Sequence, residues 1–237
     1  MSTLNGGPGN IVTNGLVLYL DAANYLSYIS GSTTWNDLSG NNNTGSLVNG
    51  PTFSSTNAGS IVFDGVNDYG QVNQLDLSYT NKITVSFWFK YTSTTVKLPS
   101  EFTTNSDNTT GAFQIATSAV NPGDLYAHVY QGGYNMIRTN ASYNDGLYHN
   151  VSFVFDLSLA VDQKILCYVD GRVVNKTQMQ STNVTANFLK SDLYIFSRAG
   201  TSFFQPGTLN TYQLYNRALT ASEVLQNYNA TKARFGL

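Results

Sequence analysis

"ITVSFWFKY", residues 83–91, carries the pattern that decides the fold. Ile83, Val85, Phe87 and Phe89 alternate with Thr84, Ser86, Trp88 and Lys90, so one side of an extended chain is wholly apolar. A period of two places successive side chains on opposite faces of a strand, and a sheet with one buried face uses that pattern. "HNVSFVF" (149–155) repeats it with Val151, Phe153 and Phe155. "KILCYV" and "RVVNK" flank Asp170-Gly171, a dipeptide suited to the positive φ angles of a two-residue hairpin turn. Further strands are expected in "GLVLYL" (15–20), "SIVF" (60–63), "DLYAHVY" (124–130), "YNMIRT" (134–139), "DLYIF" (192–196) and "TYQLY" (211–215). Closely spaced turn residues between them predict an all-β, two-sheet antiparallel β-sandwich of jelly-roll type.

One short C-terminal helix interrupts the β pattern. In "LTASEVLQNYNATK", Thr220 and Glu223 have the spacing of a capping box, and Leu219 and Val224 that of a hydrophobic staple. Val224, Leu225 and Tyr228 are expected to face inward. No linker or repeat divides the chain, so 15–232 is read as one domain, with 1–14 an N-terminal arm and 233–237 a C-terminal tail.

The 237 residues are 41% hydrophobic but only 11% charged, well under the usual quarter or so. Net charge is −2 with no basic run, which excludes phosphate-driven nucleic-acid binding as the main function. The polar surface is built from Asn, Thr, Ser and Gly, which suits sugars or close protein packing. Apolar runs such as "LVLYL" are too short to insert into a bilayer. "MSTLNGGPGN" has no secretory signal pattern, and the Asn140-Ala-Ser and Asn229-Ala-Thr sequons are read as chance products of an Asn-rich chain. Cys167, the lone cysteine, is expected to be a small buried hydrophobe.

Catalytic constellations are absent from the sequence pattern. A glycosidase needs two carboxyl groups across the scissile bond. Of only two glutamates, Glu223 belongs to the capping box and Glu101 sits in "LPSEFTTNSDNTTG", which reads as loop. Most aspartates stand in turns, as Asp64, Asp145 and Asp170 do before glycine. His149 reads as a hydrogen-bonded histidine at the core edge, and two histidines with one cysteine offer no zinc spacing. The chain is read as no enzyme.

Two oxygen-rich stretches bear on calcium, which takes six to eight oxygen ligands. "WNDLSGNNNTG" (35–45) offers Asp37 and Asn41, and "IVFDGVNDYG" (61–70) offers Asp64 and Asp68, with Asp21 able to join either. Structural calcium and plain Asx-turn loops are both open readings. A glycan face is expected on the hairpin 124–139. There Tyr126, His128 and Tyr130 share one side, and a three-residue loop 131–133 would set Tyr134 and Arg138 beside them. The alternative is ordinary sheet surface or subunit contact.

"GLVLYLDA", "SIVFDGVNDYGQV", "ITVSFWFK", "GLYHNVSFVFD", "ILCYVDGRVV" and "YQLYNRALTASEVLQNYN" follow in the order of the laminin G-like, concanavalin A-like lectin/glucanase domains, which the chain resembles. The resemblance implies a lectin-like jelly roll, with "FDGVNDY" as a hairpin between early strands. Some members bind calcium near such loops. Where a common pattern of the family has an acidic residue, this chain has Asn210 and Thr211. "GNIVTNGLVLYLDAANYLSYISGSTTWNDLSG" and "LTASEVLQNYNATKARFGL" resemble virion structural proteins of tailed bacteriophages and large viruses. That implies a non-enzymatic virion surface protein (capsid decoration, tail or fibre), assembled in host cytoplasm with other virion proteins and able to attach to host-surface glycan. A homo-oligomer is expected, with Phe235 and Leu237 free to dock on a neighbour. The alternatives are a secreted lectin or adhesin, extracellular, and third a glycoside hydrolase.

Overall fold

The computed structural model describes residues 10–118 and 120–237. Among these the strands run, in chain order, β1 Leu16–Asp21, β2 Thr34–Trp35, β3 Gly45–Val48, β4 Thr52–Ser54, β5 Ser60–Phe63, β6 Tyr69–Asp76, β7 Lys82–Lys90, β8 Ser100–Phe102, β9 Phe113–Thr117, β10 Leu125–Tyr130, β11 Tyr134–Thr139, β12 His149–Asp156, β13 Ile165–Val169, β14 Arg172–Val173, β15 Lys176–Ser181, β16 Lys190–Ile195 and β17 Gly207–Tyr215. Helix α1 is Ala221–Thr231. Sheet I has the order β14-β13-β12-β7-β17-β5-β4, with β1 beside the far half of β17. Sheet II has the order β15-β11-β10-β9-β8-β16-β6-β3-β2. Pairing is antiparallel throughout.

The apolar rows named from the sequence meet between the sheets. Val85, Phe87, Phe153, Phe155 and Cys167 of sheet I join Phe113, Ile115, Leu125, Val129 and Ile137 of sheet II in one buried cluster. Phe113 touches Phe155 across the gap at 5.7 Å between ring centroids. Each such ring contributes about 2–3 kcal/mol of burial, which is why the alternating strands dominate the fold. Asp170 and Gly171 take φ of 51° and 75° and close the β13–β14 hairpin as expected.

"FDGVNDY" is a corner, but not a hairpin. It carries the chain from β5 in sheet I to β6 in sheet II, because β5 pairs with β4 and β17 while β6 pairs with β3 and β16. Glu101 lies in strand β8, not in a loop, and is completely buried.

The middle of the outer face of sheet I is covered, and a hollow is left between the β13–β14 hairpin and α1. Thr220 and Glu223 form the capping box, and Leu219 and Val224 are buried together beneath it. Trp88 donates its indole N–H to Thr231 Oγ1 at 2.7 Å and stacks on Tyr228 and Phe235 at 5.6 and 4.1 Å. Phe235 is therefore not free for a neighbour, since this chain's own tryptophan occupies it. Residues 233–237 are no loose tail, because Lys232–Phe235 form a 3-10 turn on which Arg234 clasps Asp21 through both carboxylate oxygens, at 2.8 and 2.9 Å. Leu225 points outward, and Asn227 takes the inward position instead, bonding Val12 N–H and the Tyr215 hydroxyl. Of the N-terminal arm, residues 1–9 lie outside the described residues, and Val12 packs under α1 as part of the domain.

The 35–45 stretch covers the free edge of β1. Leu38 N–H bonds the Tyr19 carbonyl, Asp37 Oδ1 accepts Tyr19 N–H, and Asn41 and Asn43 donate side-chain N–H groups to Leu16 and Val17 carbonyls. Side chains thus stand in for a missing strand, satisfying groups that an edge would otherwise present bare.

Candidate functional site

The outer face of sheet II carries the expected hairpin. Tyr126 pairs with Arg138, His128 with Met136 and Tyr130 with Tyr134, so the loop is the three residues 131–133 and the aromatic row forms on one side. Leu125, Ala127 and Val129 on the other side are fully buried. Tyr130 and Tyr134 meet edge to face at 5.2 Å, as do His128 and Tyr134 at 4.9 Å.

His128 does not reach solvent. Only 5% of it is exposed, and burial pushes its pKa down to about 4, so at neutral pH it is an uncharged packing group rather than a surface contact. What covers it was not legible as a site. Arg198 bonds Glu101 Oε1 at 3.2 Å, Gln114 Oε1 at 2.9 Å and Asp107 Oδ2 at 2.8 Å. Ser106 adds a hydroxyl bond to Glu101 at 2.7 Å, and Tyr134 donates its hydroxyl to the Asp107 carbonyl. Burial pushes the Glu101 carboxyl up, partly offset by Ser106 and by Arg198. The cluster ties the 103–111 segment and the turn after β16 down onto the sheet. Its guanidinium stands among the carboxylates, where a glycosidase would need room for a sugar.

Beside Tyr126 the face opens into a polar cleft of about 500 Å³ lined by Asn121, Pro122, Asp124, Arg138, Asn140, Ser142 and Thr177. Arg138 Nε stands 3.6 Å from Asp124 Oδ2, too far for a hydrogen bond, and this buried Nε has no partner among the described residues. Burial raises the Asp124 carboxyl, and Arg138 partly offsets that. Asn140 Oδ1 accepts from Thr177 at 2.8 Å, and Ser142 donates to the Pro122 carbonyl at 2.9 Å. Of the five glycan-face residues, Arg138 lines the cleft and Tyr126 is its partner across the β10–β11 ladder. Tyr130 and Tyr134 continue the row away from it. Asp124 stood in the quoted "DLYAHVY", but Asn121, Asn140, Ser142 and Thr177 come from turns and an edge strand with no shared pattern.

The five candidate calcium ligands are not gathered into one cradle, and they do not fit a shared ion. Asp21 holds Arg234 and the Tyr19 hydroxyl. Asp37 accepts from Tyr19, Ser39 and Asn43, while Asn41 presents its N–H to Leu16. Asp64 Oδ1 accepts from Val66 and Asn67, an Asx turn that holds its pKa down, and Asp68 accepts Asp64 N–H. Among the described residues no three His, Cys, Asp or Glu side chains converge as metal ligands.

His149 is the edge histidine foreseen. It bonds Asp170 at 2.8 Å and faces Asp145 at 3.3 Å, and the Asp170 bond raises its pKa despite partial burial. Cys167 is fully buried, and burial pushes its thiol far up, as an inert packing group requires.

A family model described as the concanavalin A-like lectin/glucanases superfamily matches residues 64–225, more than half of the chain. The chain belongs to this superfamily. Solved structures share the concanavalin A-like sandwich at low identity. The binding domain of Paraclostridial Mosquitocidal Protein 1 has a TM-score of 0.64 and 18% identity over 92% of this chain and 52% of that one. The receptor binding domain of botulinum neurotoxin C/D mosaic serotype has a TM-score of 0.68 and 11% identity over 92% and 51%. A botulinum neurotoxin serotype D ligand binding domain in complex with N-acetylneuraminic acid has 0.66 and 11% over the same shares. The chain thus spans about half the length of the solved structures it matches. No curated protein matches the sequence.

Proposed function

We propose that this lectin-like jelly roll is a non-enzymatic recognition module that binds glycan at the cleft beside Tyr126. The observation that carries the reading is the cleft itself. It is an open, polar hollow with amides, hydroxyls, one guanidinium and one carboxylate converging, and Tyr126 pairs with its Arg138 across the β10–β11 ladder. Sugars need such a mixture, because their hydroxyls both donate and accept while their C–H faces lie on flat rings. The structural neighbours, which are toxin binding domains, one of them in complex with N-acetylneuraminic acid, support recognition over catalysis. The expected setting is the outside of a virus particle, supported by the resemblance of residues 10–40 and 219–237 to virion structural proteins; a secreted lectin or adhesin is the alternative.

A glycan array with the purified chain tests the reading. Binding that Tyr126→Ala weakens at least about tenfold supports it, and no binding to any glycan overturns it. Release of reducing sugar from a bound polymer, abolished by neutralising one carboxylate, would replace it with a hydrolase. Mass spectrometry of purified particles separates the virion setting from a secreted one, and native mass of the chain alone tests the expected homo-oligomer.

A further inference from the structure

We infer, resting on that recognition reading, that the cleft selects an uncharged sugar and rejects one bearing a carboxylate. Its two charged groups, Asp124 and Arg138, carry opposite signs and stand 3.6 Å apart. The hollow therefore offers no net positive charge to an anion. Nor are the two groups hydrogen-bonded to each other, so the carboxylate keeps acceptor capacity and the guanidinium keeps donors, with Nε left without a partner among the described residues. A buried donor left in that state needs something to complete it.

A hydroxyl fits between them and a carboxylate does not. One sugar O–H can donate to Asp124 while its oxygen accepts from Arg138, satisfying both groups at once. A ligand carboxylate only accepts. It would satisfy Arg138 and bring a second negative charge against Asp124, which is itself only 9% exposed and poorly solvated. The remaining lining repeats the demand for both donors and acceptors. Asn140 has its oxygen occupied by Thr177 and its N–H groups left to donate, whereas the Ser142 hydroxyl, with the Pro122 carbonyl and the Asp124 carboxylate both in reach of its one proton, keeps lone pairs to accept. A neutral ring with several adjacent hydroxyls meets each of these requirements. The discrimination thus arises from a built-in repulsive element as well as from attraction.

Titration calorimetry with lactose, cellobiose, maltose and methyl mannoside as uncharged probes, and 3′-sialyllactose as the acidic one, tests the inference. At least one uncharged probe should bind, with the sialylated sugar weaker by about tenfold or more. Asp124→Asn, close to isosteric, should weaken the uncharged probe about tenfold and bring the two classes within about twofold. Asn121→Ala provides a second variant on a side chain that carries no bond among the described residues, and it should weaken the uncharged probe without changing the melting temperature. Equal or tighter binding of 3′-sialyllactose, lost in Arg138→Ala, would overturn the inference while leaving the recognition reading intact. An unchanged affinity for uncharged probes in both Asp124→Asn and Asn121→Ala would also overturn it. Failure of every glycan on the array overturns both.

Discussion

The two outer faces of the sandwich start from the same alternation and end differently. On sheet I, Thr84, Ser86 and Trp88 should by pattern meet solvent, yet all three are buried beneath the segment 217–235. Thr84 bonds the Arg217 carbonyl and Leu219 N–H, Ser86 bonds Ser152, and Trp88 is clamped between two aromatic rings. On sheet II no helix arrives. Side chains cover part of the face through the Arg198 cluster, and the end near Tyr126 stays open as the cleft. The difference teaches that a strand's outer row acquires its role from whatever distant segment docks on it. One face became a second core and the other kept an open polar cleft.

The contrast breaks most readily at Arg234. Arg234→Ala strips the partner from a carboxylate that is completely buried, and about 3–5 kcal/mol of stability should be lost, read as a fall of roughly 10 °C in melting temperature. Deleting 232–237 should cost at least as much, since it also removes Phe235 from Trp88. Next comes Gly171→Ala. That residue's φ is +75°, and an added methyl carbon would stand 2.9 Å from Leu225, so a loss of about 1 kcal/mol or slightly more is expected in urea unfolding. Both substitutions should leave the cleft's affinity untouched.

A smaller effect follows pH. Asp170 raises the folded-state pKa of His149 above its unfolded value of about 6.5. The stabilisation is then fully present below that unfolded value and is lost as pH rises through the folded pKa. Wild type should lose stability relative to His149→Gln across that interval, and parallel curves would remove the histidine from the account. The smallest change in stability is expected at Tyr126, on the uncovered face. Tyr126→Ala should move the unfolding free energy by only about 0.5 kcal/mol while weakening glycan binding about tenfold or more. A large loss of stability there would mean the two faces are alike after all.

The strictly alternating strands were legible because their information is local: β7, β12 and the β13–β14 hairpin each state their own face and turn. The capping box is equally local. Glu101 was not legible, since a three-residue strand in a polar stretch shows no period, and its burial depends on Arg198 nearly a hundred residues later. The same holds for Asp21, whose partner is 213 residues away. Strand β15, "KTQMQS", pairs with β11 without any apolar row to announce it. Half of the proposed ligand face was readable as a row, because Tyr126, Tyr130, Tyr134 and Arg138 obey a hairpin register. The cleft beside it was not, as turns bring its remaining donors and acceptors together in three dimensions only.

The amide-rich loop along β1 has an outcome for how copies of this molecule can meet. With the Val17 and Tyr19 carbonyls already answered by Asn43 and Leu38, no foreign chain finds vacant backbone there on which to zip itself. Two particles colliding at that rim must recognise each other by side chains alone, which makes runaway stacking into fibres unfavourable along this flank even at high local crowding.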